Sequence, residues 1–361
     1  MNEDKALKPG TVINGNLHEY TIADVIASDS QGYTYRATVT VAPPKGAKAK
    51  SPATATLVIR EHFMGYCSDR GPDGIEVVTP EDIAPTVEAC LDSFRKSSEL
   101  RQSISTSHSA IINVLECFDA NNTHYYVVEY LTGVSFDEYV RQRGSLSFEE
   151  ASKILSPIFY AALHIHRHGA LHTDIHPGHI RFTTHNNTDT PVLFSLYNSL
   201  HFDEGGHKLW SVPDTTCRTG FAPPEQYREI DFFAPQVDIY ALGATLLFAL
   251  TGKPLPDSRT LTRDSIRELI PASLPETQAA ALLHALEPEM SERTLSVTGF
   301  FEDLNMNADN HIRGERRASD MNIDTQDDGS APSYFAKRMV TMLLMAVAAV
   351  AALIVLLTKL F

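Results

Sequence analysis

The sequence predicts an α+β protein in which a small β-rich unit precedes a larger helical unit and a C-terminal membrane-spanning helix. Three observations carry this prediction. Segments rich in β-branched and aromatic residues, interrupted by turn-formers, occupy much of the first 130 residues. Apolar residues at helical spacing dominate after Gly133. Near the end, Met339–Thr358 runs for twenty residues without a charged side chain.

Composition limits the possible functions. The chain has 361 residues, of which 30 are basic and 45 acidic, giving a net charge of −15. This length suits two or three units, or one two-lobed domain with a tail. The acidic balance argues against nucleic acid as a partner, because such binding needs clustered Lys and Arg. Four cysteines without a CxxC pair exclude a disulfide scaffold and a thiolate zinc site, and they suit a reducing compartment.

The β-rich unit contains one helical interruption. Residues 84–104 place Val87, Leu91 and Phe94 at helical spacing. A Pro- and Lys-rich stretch, Pro43–Pro52, is expected to form a long hairpin loop. The predicted strands lie within Tyr20–Ala37, Thr54–Arg60, Ile111–Phe118 and His124–Leu131.

The helical unit follows a junction near Glu129–Gly133. Its predicted helices lie at Phe136–Gln142, Phe148–His168, Asp238–Thr251 and Gln278–Leu286.

The C-terminal segment has the length of a membrane anchor. Twenty helical residues span about 30 Å, the thickness of a hydrocarbon core. A buried core helix is the alternative, but it would normally show a polar face. Lys337 and Arg338 directly precede the span, so the positive-inside rule places the preceding bulk in the cytoplasm. The polar opening of the chain indicates no secretory signal. We therefore expect a single-pass protein whose one identifiable partner is the lipid bilayer.

Several motifs in the helical unit occur in a recognisable order. Leu171–Ile180 reads LHTDIHPGHI and resembles the H-R-D-x-x-x-x-N catalytic loop of the protein kinase superfamily. Gly220–Tyr227 reads GFAPPEQY and is similar to the A-P-E end of a kinase activation segment. Asp238–Thr245 resembles the buried helix that supports the catalytic loop, and Arg293 stands where the family pairs an arginine with the A-P-E glutamate, here Glu225.

Further motifs extend the resemblance into the β-rich unit. Val127–Gly133, which includes Glu129, resembles the hinge between kinase lobes. Val25–Ala37 resembles the phosphate-covering hairpin, and Leu57–Phe63 the strand that carries the family's lysine. The overall pattern is similar to bacterial serine/threonine kinases, which implies a two-lobed fold with a five-stranded N-lobe. The predicted regions are an extension (1–17), an N-lobe (18–132), a C-lobe (133–304), a flexible linker (305–336) and the anchor (337–361).

The resemblance assigns roles to the residues of the catalytic loop. Asp174 fills the position of the base that accepts the proton of a hydroxyl nucleophile, although a purely structural carboxylate is the alternative. The family's two magnesium ions are held by the catalytic-loop Asn and the D-F-G Asp, and here these positions are His179 and Ser195. Magnesium prefers hard oxygen ligands, so an imidazole and a hydroxyl are poor substitutes.

The positions that contact phosphate are also altered. The lysine position is Arg60, which keeps the positive charge but has a different geometry. The helix glutamate that would pair with it corresponds to Ser97. Glu99 lies two residues on, about 200° around the helix, and is expected to face away.

The glycine-rich loop of the family is reduced to a single match. Residues 27–32 read ASDSQG, in which only Gly32 agrees with G-x-G-x-x-G. Asp29 replaces the middle glycine and would direct a carboxylate towards the triphosphate. Thr173 replaces the arginine of H-R-D, so a switch driven by activation-loop phosphorylation is not expected.

The losses affect nucleotide and metal contacts, whereas the scaffold residues Glu225, Asp238 and Arg293 are present. We therefore predict a membrane-anchored pseudokinase that acts as a scaffold or allosteric partner of an unidentified signalling protein. ATP and magnesium are the cofactors that the resemblance implies, but the altered positions weaken the expectation for both. An active serine/threonine kinase with atypical metal contacts is the alternative. A small-molecule phosphotransferase is a third possibility, disfavoured by the APPEQY segment.

Six histidines lie between residues 164 and 179. The family often has His at the positions of His166 and His172, whereas His176 and His179 replace its Lys and Asn. Together with Asp174, these two could form a three-ligand site for a metal softer than magnesium. The alternative, which we expect from the sequence, is that they are solvent-facing loop residues and that no metal is bound.

Overall fold

The computed structural model describes residues 3–41, 53–185, 188–209, 217–228 and 230–306. By its contacts the chain divides into two units, Met1–Arg316 and Arg317–Phe361. The predicted anchor, nearly all of the predicted linker and the Pro43–Pro52 loop lie outside the described residues. Within the described ranges, no helix is both long and apolar enough to cross a bilayer.

An antiparallel sheet of six strands forms the first lobe. Its strand order is β1-β2-β3-β4-β8-β7. Every neighbouring pair in this sheet is antiparallel. The strands are β1 (Val12–Asn14), β2 (Glu19–Asp29), β3 (Gly32–Val41), β4 (Ala53–His62), β7 (Val114–Ala120) and β8 (Thr123–Glu129). A short hairpin of β5 (Asp69–Arg70) and β6 (Val77–Val78) lies between β4 and the helix α1 (Ala84–Ser105).

The sheet has one strand more than the five expected. The additional strand is β1, which comes from the segment predicted as an N-terminal extension and pairs Ile13 with Tyr20 of β2. Leu7 and Ile13 are each 1% exposed and belong to the core of this lobe. The segment is held because it buries apolar side chains against the sheet, a contact that its polar composition did not indicate.

The second lobe is mainly helical. Its helices are α2 (Phe136–Arg143), α3 (Phe148–Arg167), α4 (Gln236–Thr251), α5 (Arg263–Leu269), α6 (Glu276–Ala285) and α7 (Val297–Asp303). Two antiparallel strand pairs accompany them. One is formed by β9 (Ala170–Leu171) with β12 (Leu200–His201), and the other by β10 (Ile180–His185) with β11 (Thr188–Leu193). The two lobes and their order confirm the predicted β-rich lobe followed by a helical lobe.

Helix α4 forms the centre of the second lobe. Its residues from Val237 to Ala249 are all buried, which explains its nearly continuous apolar sequence. Gly243 permits close packing on α6, since a Cβ atom there would lie 3.2–3.3 Å from Leu286 and Ala285. Gly252, with φ of 70°, ends the helix in the left-handed conformation that glycine adopts without strain. The only acidic residue in this buried span, Asp238, therefore needs a specific reason to be there.

Most predicted elements are found at or near their predicted positions. Helix α1 begins at Ala84 as expected and extends one residue further than residue 104. The strand expected from Ile111 instead begins at Val114, because Ile112 donates its backbone N–H to Leu193 of β11. Helices α5 and α7 were not predicted. Each has seven residues, too few for a helical period to stand out.

Candidate active site

Asp238 of helix α4 holds the backbone of the predicted catalytic loop. Its carboxylate accepts the backbone N–H groups of His172 and Thr173, each at 2.8 Å, and contacts Nε2 of His166 at 2.8 Å. Burial alone would raise the pKa of Asp238, but the bond from His166 and the nearby imidazoles lower the pKa overall. A fully buried carboxylate is thereby kept ionised as the anchor of the loop.

Thr173, which takes part in this anchorage, has a strained backbone conformation. Its φ of 62° lies in the left-handed region, which is a genuine outlier for a β-branched residue. Besides the bond to Asp238, its hydroxyl donates to the carbonyl of Asn198 at 2.8 Å, and its own carbonyl accepts from Nε2 of Gln226. The strain, about 1–3 kcal/mol, is therefore offset by contacts to three separate segments.

The carboxylate of Asp174 lies directly beyond this anchored turn. Nδ2 of Asn198 donates to Oδ2 at 3.1 Å, and Nδ1 of His179 lies 3.3 Å from the same oxygen. Nε2 of His176 lies 3.7 Å from Oδ1. The Asp174 side chain is only 5% exposed, and this burial raises its pKa. The base position therefore exists, but its carboxylate faces two imidazoles and an amide of the same chain.

The structure corrects the expectation that His176 and His179 face solvent. Their side chains are 8% and 18% exposed, and their ring centroids lie 3.9 Å apart. Burial lowers the pKa of His176 to about 2. The two rings lie side by side because Pro177–His179 forms a single 3₁₀ turn, in which residues three apart share a face.

The residues at the two predicted magnesium positions do not fit magnesium. Ser195 has a left-handed backbone, with φ of 69° and ψ of 44°, and its buried Oγ has no hydrogen-bond partner among the described residues. His179 contributes an imidazole whose Nδ1 is also 3.0 Å from the carbonyl of Asp174. Magnesium requires oxygen ligands in near-octahedral geometry, and these two side chains supply one hydroxyl between them.

Arg60, at the lysine position, is bound to the glycine-loop carboxylate. Its guanidinium contacts Oδ1 of Asp29 at 2.5 Å and Oγ1 of Thr34 at 3.1 Å, while its Nε has no partner in the described part of the chain. The side chain is only 5% exposed. The cation that the resemblance assigns to a nucleotide phosphate is thus neutralised from within the protein.

The turn between β2 and β3 explains why Asp29 points inward. Oδ1 of Asp29 also accepts the backbone N–H of Gln31 at 2.9 Å, so the carboxylate closes the turn as well as binding Arg60. Gly32 has a separate structural role, because a Cβ atom there would lie 1.8 Å from the carbonyl oxygen of Glu61. The one glycine that matches the family loop is required for strand packing.

Helix α1 confirms the expected loss of the helix glutamate. Ser97 is buried with an Oγ that has no partner within the described ranges, and Glu99 is exposed. A different residue connects this helix to the second lobe. Arg101, only 3% exposed, donates to the backbone carbonyl of Tyr197 at 2.9 Å and to Oγ of Ser199 at 3.3 Å. Burial lowers the pKa of this guanidinium.

The hinge and the activation-segment end are each held by specific side-chain contacts. Oε1 of Glu129 accepts the backbone N–H of Asn113 at 2.8 Å, which fixes the start of the hinge. Arg293 is fully buried and donates to both oxygens of Glu225, at 2.6 and 3.2 Å. It also donates to the carbonyls of Gln236 and Glu287. This pair connects the activation-segment end to the helices beneath it.

Comparison with known proteins agrees with this arrangement. The model of the protein kinase domain family matches residues 87–293, more than half of the chain. The chain belongs to the protein kinase family. A solved kinase-like structure, described as the PpkA-294 apo form, superposes with a TM-score of 0.57, covers 83% of this chain and 99% of that one, and shares 24% identity. That similarity supports the fold alone.

The chain is also similar to bacterial serine/threonine kinases. It is 29% identical over 220 residues to serine/threonine-protein kinase D of Synechocystis, covering 58% of this chain and 41% of that protein. It is 28% identical over 179 residues to serine/threonine-protein kinase PrkC of Bacillus subtilis, covering 49% and 26% respectively. The kinase chain therefore spans less than half the length of these curated relatives.

The kinase fold brings Asp174, His176 and His179 together and places Arg60 and Asp29 in one ion pair. Two residues of the site escaped the sequence analysis. Asn198 lies just past the D-F-G position and orients the base, and Arg101 lies on the buried face of α1. An arginine seven positions after the buried Phe94 was the available signal, since that spacing places both on the same helix face.

Proposed function

We propose that this kinase-family chain is a pseudokinase, anchored to the membrane by residues 337–361, that acts as a scaffold or allosteric partner of another protein. The observation that carries the proposal is the pair of magnesium positions. Ser195 and His179 present no carboxylate or amide oxygen. In the described residues, the carboxylate that lies beside His179 belongs to Asp174, the residue at the base position. Phosphoryl transfer depends on metal ions that bridge the phosphates and neutralise the developing charge.

The phosphate side of the cleft supports the same proposal. The Arg60–Asp29 pair must separate before Arg60 can bind a phosphate, and the released carboxylate then repels the same anion. At an effective dielectric of 20 and a distance of 4 Å, this repulsion reaches about 4 kcal/mol. The chain therefore has an internal competitor for nucleotide in addition to weak metal ligands.

The contacts that stabilise the fold support a role in binding another protein. Asp238 holds the catalytic loop, Arg293 holds the activation-segment end, and Arg101 joins the lobes, all through contacts within the chain. A kinase domain held together by such contacts can present a constant surface to a partner. The membrane segment would restrict that encounter to the cytoplasmic face of the bilayer.

Nucleotide binding and transfer test the proposal directly. We expect ATP to leave the melting temperature of the full chain unchanged with Mg²⁺ or Mn²⁺, since only a ligand that binds the folded state raises it. We also expect no transfer from radiolabelled ATP to the chain or to a generic protein substrate. Transfer that is present in the wild type and absent from Asp174→Asn would refute the proposal.

The alternative is an active serine/threonine kinase that transfers the γ-phosphate of ATP to protein hydroxyls with atypical contacts. It is favoured by one observation, the hydrogen bond from Asn198 that positions the Asp174 carboxylate. A repaired variant separates the two candidates. If the metal positions are what is missing, Ser195→Asp combined with His179→Asn should create metal-dependent ATP binding, and the left-handed backbone at 195 tolerates Asp well. If the wild type already binds ATP as tightly as this variant and transfers its γ-phosphate, the alternative is correct.

Membrane anchoring has its own test. We expect the full chain to sediment with membranes and to be released by detergent, and a chain that ends at residue 336 to remain in the supernatant. Equal partitioning of the two chains would refute the anchor while leaving the pseudokinase proposal untouched.

A further inference from the structure

We propose that Asp174, His176 and His179 bind a divalent transition-metal ion of the zinc class, without nucleotide. Within the described residues these three are the group of potential ligands whose donor atoms all lie within 4.8 Å of one another. Two imidazoles and one carboxylate are a common set for Zn²⁺ and related ions, and a poor set for Mg²⁺. Such a site would lie on the base position of the kinase fold and would occupy its carboxylate.

The distances match a small tetrahedral ion. Zinc binds imidazole nitrogen and carboxylate oxygen at about 2.0–2.2 Å, so neighbouring ligand atoms in a tetrahedron lie about 3.3–3.5 Å apart. Here Oδ2 of Asp174 is 3.3 Å from Nδ1 of His179, and Oδ1 is 3.7 Å from Nε2 of His176. The two rings face different oxygens of one carboxylate, so an ion between them would either be bound by both oxygens of Asp174 or require that carboxylate to turn.

The ligands are held by contacts outside the triad. Asn198 donates to Asp174 and fixes its carboxylate, as hydrogen-bonded neighbours of metal ligands commonly do. The 3₁₀ turn Pro177–His179 sets the spacing of the two rings. Side-chain exposures of 5%, 8% and 18% show that the triad is shielded while one edge, on His179, remains open to solvent. Three protein ligands with one open position would leave room for a water molecule.

Metal binding at His176 requires a proton to move. In the metal-free structure Nδ1 of this ring accepts the backbone N–H of Gly178 at 3.0 Å, so the proton of the neutral imidazole lies on Nε2, the atom nearest to Asp174. An ion bound at Nε2 shifts that proton to Nδ1, and the Gly178 contact is lost. Nδ1 of His179 donates to the carbonyl of Asp174 at 3.0 Å, so an ion bound at that atom shifts its proton to Nε2 and ends this contact as well. The 3₁₀ turn therefore has to adjust when the ion binds.

One positive charge in the neighbourhood opposes the ion. The charge of Arg218 acts on both Asp174 and His176 and opposes the protonation of each, although burial raises the pKa of Asp174 overall. A divalent cation between them would be repelled by this guanidinium, and removal of its charge should tighten binding. Arg218→Gln is therefore a variant with an expected effect opposite to that of the ligand variants.

Titration of the metal-free full chain with Co²⁺, followed by displacement with Zn²⁺, tests the site. Co²⁺ gives visible absorption bands whose intensity reports a four-coordinate site, and the readout does not depend on kinase activity. We expect one ion per chain, displacement by Zn²⁺, and no displacement by millimolar Mg²⁺. His176→Gln and Asp174→Asn should each weaken binding at least tenfold, and Arg218→Gln should strengthen it severalfold.

His207→Gln is the matched control. Its ring also lies beside an aspartate, with Nδ1 3.5 Å from Asp203, but that pair is exposed. We expect this variant to bind Co²⁺ as the wild type does. X-ray absorption of the Zn²⁺-loaded wild type should show two imidazoles and lighter oxygen ligands, a measurement that does not depend on any variant folding. Absence of the visible bands, equal binding by the ligand variants, or a zinc spectrum without two imidazoles would each overturn the proposal.

The outcome is independent of the pseudokinase proposal. A chain that binds Co²⁺ and also transfers phosphate would keep the metal site and refute the pseudokinase. A chain that neither binds Co²⁺ nor transfers phosphate would refute the metal site and keep the pseudokinase proposal.

Discussion

Replacement of Asp29 by Asn tests whether the protein blocks its own phosphate contact. The variant removes the charge that binds Arg60, and it keeps an oxygen that can accept the N–H of Gln31 and close the turn. With the carboxylate gone, the guanidinium of Arg60 remains buried at the cleft with an unpaired charge. We expect the variant to bind ATP more tightly than the wild type, before any metal position is repaired.

The size of the effect follows from the geometry. Like charges at 4 Å repel by about 4 kcal/mol at an effective dielectric of 20. The Asp29 side chain is 40% exposed, so solvent screens much of this repulsion. A charge-assisted hydrogen bond from the released Arg60 contributes about 1.5–3 kcal/mol. A net gain of about 1.5–3 kcal/mol corresponds to ATP binding that is roughly 10- to 100-fold tighter.

Isothermal titration of ATP into both chains, without metal, measures the difference. Asp24→Asn is the matched control, because Asp24 forms an ion pair with Arg36 on the same hairpin and both side chains are 43% exposed. The control should leave ATP affinity at the wild-type level. If Asp29→Asn binds ATP no better than Asp24→Asn, the carboxylate does not guard the phosphate position and the electrostatic reasoning is incorrect.

Three further predictions concern stability and are checked by urea unfolding. Arg293→Met leaves Glu225 of the activation-segment end unpaired and should lower the free energy of unfolding by about 3–5 kcal/mol. The control Arg259→Met, in an exposed ion pair, should change this free energy by less than about 1 kcal/mol. Asp238→Ala removes the acceptor for two buried backbone N–H groups and should cost at least about 3 kcal/mol; a smaller loss would show that the loop has other support. Among the histidines whose pKa is lowered by burial, three lie outside the catalytic loop and have values of about 3 to 4. The contribution of these three to stability is complete above pH 6.5 and is lost as pH falls towards 4, with a slope of up to about 4 kcal/mol per pH unit; a flat profile across that window would contradict these shifts. The three are His62 and His164, with pKa values of about 4, and His201, with a pKa of about 3.

The fold was largely accessible from the sequence because its motifs are local and ordered. The catalytic loop, the activation-segment end and helix α4 each occupy a continuous stretch whose residue types are constrained by packing. Strand β1 was missed because it has three residues and gains its stability from the sheet it joins. The short helices α5 and α7 were missed because each has only seven residues, too few for a helical period to be recognised.

The site was accessible only in part. Sequence identified Asp174, Arg60 and the altered metal positions, because each lies at a fixed offset within a motif. It did not show that Asp29 would bind Arg60, since that contact joins residues 31 positions apart across a sheet. Nor did it show that the imidazoles of His176 and His179 are buried. The residues that cover the loop lie further along the chain, at 194–198 and 221.

Arg101 changes what opening and closing of this domain would involve. Its stem belongs to helix α1 of the first lobe, and its guanidinium donates to backbone and hydroxyl oxygens just beyond Ser195 in the second. A displacement of α1 would therefore pull directly on the beginning of the activation segment. A protein that binds α1 could therefore shift the start of the activation segment through the buried guanidinium of Arg101.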